Sequence, residues 1–173
     1  MKIVSLSENK NVEKRVAITP EIAKKYISNG FEVFLPKDYA THIGFNDEEY
    51  KSQGVEILEN EKEIIEKCDL ILQLNLPTDS ILSDLKENQS LIGVLNPYVN
   101  KDKLEKLSKN KVNTFSLELL PRITRAQSMD ILSSQANLAG YKAVIESFAN
   151  FEKAIPMMMT AAGTVPAAKV LIV

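Results

Sequence analysis

The sequence predicts an α/β fold: a mostly parallel sheet with helices on both faces, followed by one long helix. Short apolar runs alternate with helical segments up to Leu120, and this regular alternation is typical of parallel sheets. The stretch from Ala126 to Asn150 then contains no proline and a single glycine. A helix of that length would measure roughly 37 Å at 1.5 Å per residue.

Local signals justify each element of the predicted sheet. Apolar runs predict strands at residues 2–6, 31–35, 55–58, 70–74, 91–95 and 112–117. Helices are predicted between them, at residues 20–28, 47–53, 61–67, 79–86 and 101–108. Pro20 suits the first turn of a helix, and Gly30 and Gly54 follow helix ends. We therefore expect a Rossmann-like N-terminal domain over residues 1–125.

The long connecting helix is predicted over residues 126–152. Thr124 followed by Gln127 matches a capping box, which favours a helix start at this point. A polar stripe recurs at three- and four-residue spacing: Gln127, Asp130, Ser134 and Asn137. A second stripe has only small side chains, which let another helix come close: Ser133, Ala136, Gly140 and Ala143.

Composition excludes several classes of function. The net charge is −2 with both signs interspersed, so no nucleic-acid surface is expected. Cys68 is the single cysteine, which fits a reducing compartment. No apolar run approaches the ~20 residues of a membrane helix, so we expect no membrane insertion by this chain. His42 is the single histidine, and no ligand spacing predicts a metal site.

Polar residues cluster where the last predicted strand passes into the long helix. Arg122, Arg125, Gln127 and Asp130 lie at this loop-to-helix junction, and such junctions often carry binding groups. The Arg122 guanidinium can bind phosphate or carboxylate with two parallel donors. Asp130 and Ser133 can hydrogen-bond an amide or a ribose. The alternative is that these side chains only cap and solvate the helix.

The segment LPRITRAQSMDILSSQANLAGYKAVIE, residues 120–146, resembles the signature of the NAD(H)-binding component of proton-translocating nicotinamide nucleotide transhydrogenase. The resemblance covers the whole chain. It implies hydride transfer between NADH and NADP⁺, coupled to proton movement by membrane domains outside this chain. By this resemblance Arg122, Gln127, Asp130 and Ser133 bind the cofactor. Asp130 and Ser133 would hold the carboxamide and ribose, and Arg122 would contact the dinucleotide. Gln127 would reach toward the NADP(H)-binding partner, and Gln127 and Asp130 are the candidate catalytic residues.

The resemblance also implies partners and a missing half. Residues 153–173 would be a linker and the first strand, at 169–173, of a truncated dinucleotide-binding domain, because no GxGxxG turn is present. NAD would then bind fully only with the missing domain, NADP would sit on a partner domain, and the isolated fragment is expected to be inactive. A homodimer is expected, cytoplasmic and peripheral on the inner face of the membrane through partner subunits.

Two alternatives remain open at this point. The first is a non-catalytic dimerisation or assembly module. The second is a fragment of an alanine dehydrogenase-like enzyme, a relative that shares the segment KRVAITP, residues 14–20. Arg15 matches that family's substrate arginine, but Asn75 and Asn96 stand where alanine dehydrogenases place a lysine and a histidine. These two asparagines make the second alternative the less favoured.

Overall fold

Six parallel strands form one sheet in the computed structural model, which describes residues 1–172. The strands are β1 Lys2–Val4, β2 Glu32–Pro36, β3 Glu56–Leu58, β4 Leu70–Asn75, β5 Ser90–Val94 and β6 Asn113–Ser116. Their order across the sheet is β3-β2-β1-β4-β5-β6, and every neighbouring pair is parallel. The predicted α/β fold with a mostly parallel sheet is confirmed.

Five helices accompany these strands. They are α1 Pro20–Ser28, α2 Asp47–Ser52, α3 Glu61–Lys67, α4 Asp79–Asp84 and α5 Lys101–Lys109. Thr19 caps α1 by accepting a hydrogen bond from the Ile22 amide. A capping box between Asn46 and Glu49 opens α2. These local signals place the helix starts where the sequence predicts them.

Two apolar cores cover the two faces of the sheet. Successive strand residues point to opposite faces, so Ile3 packs in one core and Val4 in the other. The core around Val4 includes residues from α3, α4 and α5, and the core around Ile3 includes residues from α1 and α2. Helices therefore cover both faces, as predicted.

The order of the strands reverses between β1 and β4. The chain proceeds outward from β1 to β3 on one side, then crosses to β4 and proceeds outward to β6 on the other. Strands that separate in this way leave a crevice beyond their carboxyl ends, where open α/β sheets commonly bind ligands. Gln73 on β4 bridges the start of this crevice, since its side-chain amide bonds both the N–H and the C=O of Leu6 at 3.1 Å.

A second unit begins at Asp130, whereas the first spans Met1–Met129. It contains α6 Ile131–Ala149 and an antiparallel pair, β7 Met158–Thr160 and β8 Gly163–Val165. The sequence did not predict this pair of strands. Whether residues 125 and 152 mark domain boundaries stays a prediction.

The long helix begins later than its capping-box pattern indicates. Residues Thr124–Met129 form a 3₁₀ helix, and α6 starts at Ile131 with Asp130 as its N-cap. Thr124 is therefore not the N-cap of α6. The reason is that the Asp130 carboxylate accepts the Ser133 amide, which fixes the first α-helical turn at that point.

The strand expected at residues 169–173 does not form over residues 169–172, which are irregular, and Val173 lies outside the described residues. A parallel strand is stable only beside another strand, because its N–H and C=O groups need partners. Among the described residues, the two strands of this unit pair with each other.

Candidate functional site

The junction between β6 and α6 is held by one buried residue. Ala126 is 6% exposed, and its amide donates to the Ile123 carbonyl at 2.9 Å. Arg122 and Gln127, both members of the first unit, are exposed on either side of this anchor. A short 3₁₀ helix therefore presents an arginine and a glutamine to solvent while its alanine packs inward.

Asp130 and Ser133 form a bonded pair in the second unit. One carboxylate oxygen of Asp130, Oδ1, accepts the Ser133 amide at 3.0 Å. The other, Oδ2, accepts the Ser133 hydroxyl at 2.6 Å. The positive end of the helix dipole favours a carboxylate at this position. The arrangement fixes the rotamer of both side chains, so a ligand amide or hydroxyl would meet oriented groups.

The four predicted site residues thus differ in how the structure places them. It brings Asp130 and Ser133 within hydrogen-bonding distance. Arg122 and Gln127 are exposed residues that belong to the first unit. The cofactor and catalytic roles of all four residues stay predictions.

A second set of polar groups surrounds the crevice at the strand reversal. The Glu8 carboxylate accepts the Leu74 amide at 2.8 Å and the Asn75 amide at 3.2 Å, both on Oε1, and the Asn75 side chain donates to Oε2 at 3.3 Å. A cavity of about 230 Å³ lies against these groups. Sequence reasoning missed Glu8, although its position shortly after β1 was a usable signal.

Arg15 and Glu13 form an ion pair beside the same crevice. The guanidinium Nη2 lies 2.6 Å from the Glu13 carboxylate. Hydrogen bonds from the Arg15 side chain lower the pKa of Glu13 to about 2, and the Asn75 side chain contributes to the shift. Arg15 is therefore already engaged with a carboxylate of this chain.

Asn96 is a turn residue. Its backbone adopts φ of 47°, a left-handed conformation that asparagine tolerates well, and its amide donates to the Glu118 carboxylate. Its side chain stands where the alanine dehydrogenase resemblance would require an imidazole.

Neither metal ligands nor membrane helices are found in the part of the chain that the structure describes. His42 is exposed, and its Nε2 lies 2.8 Å from the Lys14 carbonyl oxygen. Within residues 1–172, no three His, Cys, Asp or Glu side chains are grouped to hold a metal ion. None of the helices in that range combines the length and apolar character that crossing a membrane requires.

Comparison with known proteins identifies the family. The model of the alanine dehydrogenase/PNT N-terminal domain matches residues 5–139. The chain belongs to this family. It is 46% identical over 176 residues to the first of the separately encoded pieces of the NAD(P) transhydrogenase alpha subunit of Rickettsia prowazekii, a match that covers 99% of this chain and 46% of that protein. The corresponding protein of Rhodospirillum rubrum is 41% identical, with the same two coverages.

A solved structure agrees with this assignment. The transhydrogenase from Sinorhizobium meliloti superimposes with a TM-score of 0.87 at 40% identity, covering 95% of this chain and 50% of that one. An alanine dehydrogenase of Methanococcus maripaludis is 31% identical over 77% of this chain and 35% of its own length. This member of the alanine dehydrogenase/PNT family thus spans about half the length of the transhydrogenase proteins that it matches.

Proposed function

We propose that the chain is part of the NAD(H)-binding component of a proton-translocating transhydrogenase. The observation that carries the proposal is the Asp130–Ser133 pair, which holds two oriented polar side chains. These residues lie in the segment that resembles the transhydrogenase signature. The similarity to transhydrogenase alpha subunits over nearly the whole chain supports the same assignment.

The reaction moves a hydride from the nicotinamide of NADH to that of NADP⁺, so one ring is oxidised as the other is reduced. The two nicotinamides supply this chemistry, and the protein contributes orientation. Asp130 and Ser133 bind the carboxamide and ribose at the nicotinamide end of NAD(H), while Arg122 contacts the dinucleotide. Gln127 reaches toward NADP(H) on the partner domain.

The remaining components of the reaction lie outside this chain. The missing nucleotide domain completes the NAD site, a partner domain binds NADP(H), and membrane components couple hydride transfer to proton movement. The chain is accordingly cytoplasmic and peripheral on the inner face of the membrane. The 173-residue chain alone binds NADH weakly or not at all, and a micromolar dissociation constant would contradict this.

Two substitutions of Asp130 separate helix capping from cofactor binding. Asparagine caps a helix about as well as aspartate, so Asp130→Asn should preserve α6 while removing the carboxylate charge. Asp130→Ala should lose the cap, at a cost of about 0.5–2 kcal/mol. In the full-length protein containing this chain, NADH titration by nicotinamide fluorescence measures affinity, and circular dichroism measures helix content.

The expected result is about a tenfold or greater loss of NADH affinity in Asp130→Asn, with unchanged helix content. This corresponds to one charge-assisted hydrogen bond of about 1.5–3 kcal/mol. Wild-type affinity in Asp130→Asn would reduce Asp130 to a cap residue and remove its proposed role.

A non-catalytic assembly module is the second candidate. The apolar exposure of α6 favours it, since Leu138 is 58% exposed and Tyr141 69%. The two candidates differ in one measurement: an assembly module self-associates but ignores NADH even when the full-length protein is used.

A further inference from the structure

The crevice between β1 and β4 is closed by the chain's own side chains. Beyond Val4 the two strands no longer pair as a ladder, and Gln73 takes over by bonding the N–H and C=O of Leu6. One residue further along β4, Glu8 reaches across from the β1 side to the Leu74 amide. The position where a doubly wound sheet usually receives a ligand is thus spanned by an amide and a carboxylate of this chain.

The contacts of Glu8 are those of a bound carboxylate. Two backbone amides, of Leu74 and Asn75, converge on Oε1 at 2.8 and 3.2 Å, and the Asn75 side chain donates to Oε2 at 3.3 Å. Hydrogen bonds to an ionised acceptor are stronger than neutral ones. The register of β4 against β5 also shifts between Leu72 and Asn75, so the strand is irregular where it offers these donors.

We propose that these donors form a carboxylate-binding site that Glu8 occupies as a tethered ligand. The site is closed to free small carboxylates, the class to which 2-oxo acids belong, for as long as Glu8 is present. The adjacent cavity of about 230 Å³ holds several times the ~30 Å³ share of one water, which is room for a two- or three-carbon acid. This inference does not depend on NAD(H) binding by the chain.

The charges around the cavity act in the same direction. Glu8 and Glu13 both line it, and the Glu13 carboxylate already engages the Arg15 guanidinium at 2.6 Å. A free anion entering the wild-type cavity meets two carboxylates against one arginine. Removing Glu8 leaves one of each, and it exposes the Leu74 and Asn75 donors at the same time.

The test is acetate binding by Glu8→Ala in the complete 173-residue chain, followed by ¹⁵N–¹H NMR. Sodium acetate is titrated against sodium chloride at equal ionic strength. In Glu8→Ala the Leu74 and Asn75 amide signals should shift saturably, with a millimolar dissociation constant suited to so small a ligand. Acetate should also raise the melting temperature of the variant by a few degrees. Wild type should show neither response.

Glu8→Gln is the matched control. Its amide oxygen still accepts from Leu74 and Asn75 and still fills the site, so acetate should have no effect. Because a neutral acceptor bonds more weakly, hydrogen exchange at these two amides should be several-fold faster than in wild type. This second measurement holds even if Glu8→Ala fails to fold. Identical behaviour of Glu8→Ala in acetate and chloride, or unchanged exchange in Glu8→Gln, would overturn the proposal.

Discussion

Glu13 and Arg15 form a local ion pair with well-matched geometry. Three donors of Arg15, its amide, Nε and Nη2, lie 2.9, 2.8 and 2.6 Å from the Glu13 carboxylate oxygens. The Glu13 side chain is only 13% exposed, whereas that of Arg15 is 56% exposed. The pKa of Glu13 is consequently lowered to about 2, chiefly by these side-chain hydrogen bonds.

A lowered carboxylate pKa makes folding stability depend on acid. The unfolded chain protonates Glu13 near its ordinary pKa of 4.5, and the folded chain only near 2. The stabilisation is therefore complete above pH 4.5 and disappears as the pH falls toward 2. Exposure of the arginine should keep it to about 1 kcal/mol or less. Urea unfolding at about pH 7 and about pH 2.5 should show a smaller change in Glu13→Gln than in wild type.

Arg15→Gln provides the companion variant for this measurement. It should remove the same portion of the pH dependence, because the shift originates in the pair. Acid sensitivity identical to wild type in Glu13→Gln would contradict the assignment.

At this scale the sequence predicts neighbours well and distant partners poorly. Asp130 and Ser133 are three residues apart, and the structure joins them. The capping role of Asp130 was missed because Thr124 and Gln127 offer the same local pattern a few residues earlier. The contacts of Glu8 could not be inferred, since its partners on β4 are 66 and 67 residues away.

Helices and strands follow their local signals closely. The predicted helices at 20–28 and 61–67 match α1 and α3 at both ends. The pairing of β7 with β8 was missed because its residues are mostly exposed and carry no clear apolar alternation. The run at 169–172 shows the converse: β-branched and apolar residues alone do not make a strand, since a strand needs a partner.

Gly93 on β5 marks the closest approach within the sheet. A Cβ added to this residue would lie 2.4 Å from the Gln73 carbonyl oxygen on the neighbouring strand. That backbone cannot easily yield, because the Gln73 side chain is bonded to Leu6. Gly93→Ala should therefore lower the free energy of unfolding by about 3 kcal/mol, at the upper end of typical overpacking costs, as measured by urea denaturation.

Gly140→Ala is the control for this experiment. Nothing lies within 4 Å of a Cβ built at Gly140 in α6. Alanine should favour that helix by roughly 0.5–1 kcal/mol. An unfolding midpoint in Gly93→Ala equal to that of wild type would show that the strands separate more easily than the structure indicates.

The whole molecule leaves its longest helix uncovered. In the described chain α6 contains 19 residues and none of them is buried. Several large apolar side chains of this helix are at least two-fifths exposed: Leu132, Leu138, Tyr141, Val144, Ile145 and Phe148. Apolar exposure on this scale indicates an interaction surface, in agreement with the predicted homodimer.

Light scattering or sedimentation should accordingly give about twice the 19.3 kDa chain mass. Tyr141→Glu places a charge on the exposed apolar surface of α6 and should weaken self-association at least tenfold, which is about 1.4 kcal/mol. Ser108→Glu adds the same charge at an exposed position of α5 and should leave association unchanged. A monomeric mass at high protein concentration would refute the dimer.

The position of β1 in the sheet has a consequence for synthesis. This strand is the first to leave the ribosome, yet it lies in the interior of the sheet, with β2 on one side and β4 on the other. Val4 pairs with Phe34 and also with Ile71, so β1 stays half-paired until β4 has been translated. Such long-range parallel pairing folds slowly. The nascent chain therefore carries an unpaired apolar edge throughout that interval, which a chaperone could protect.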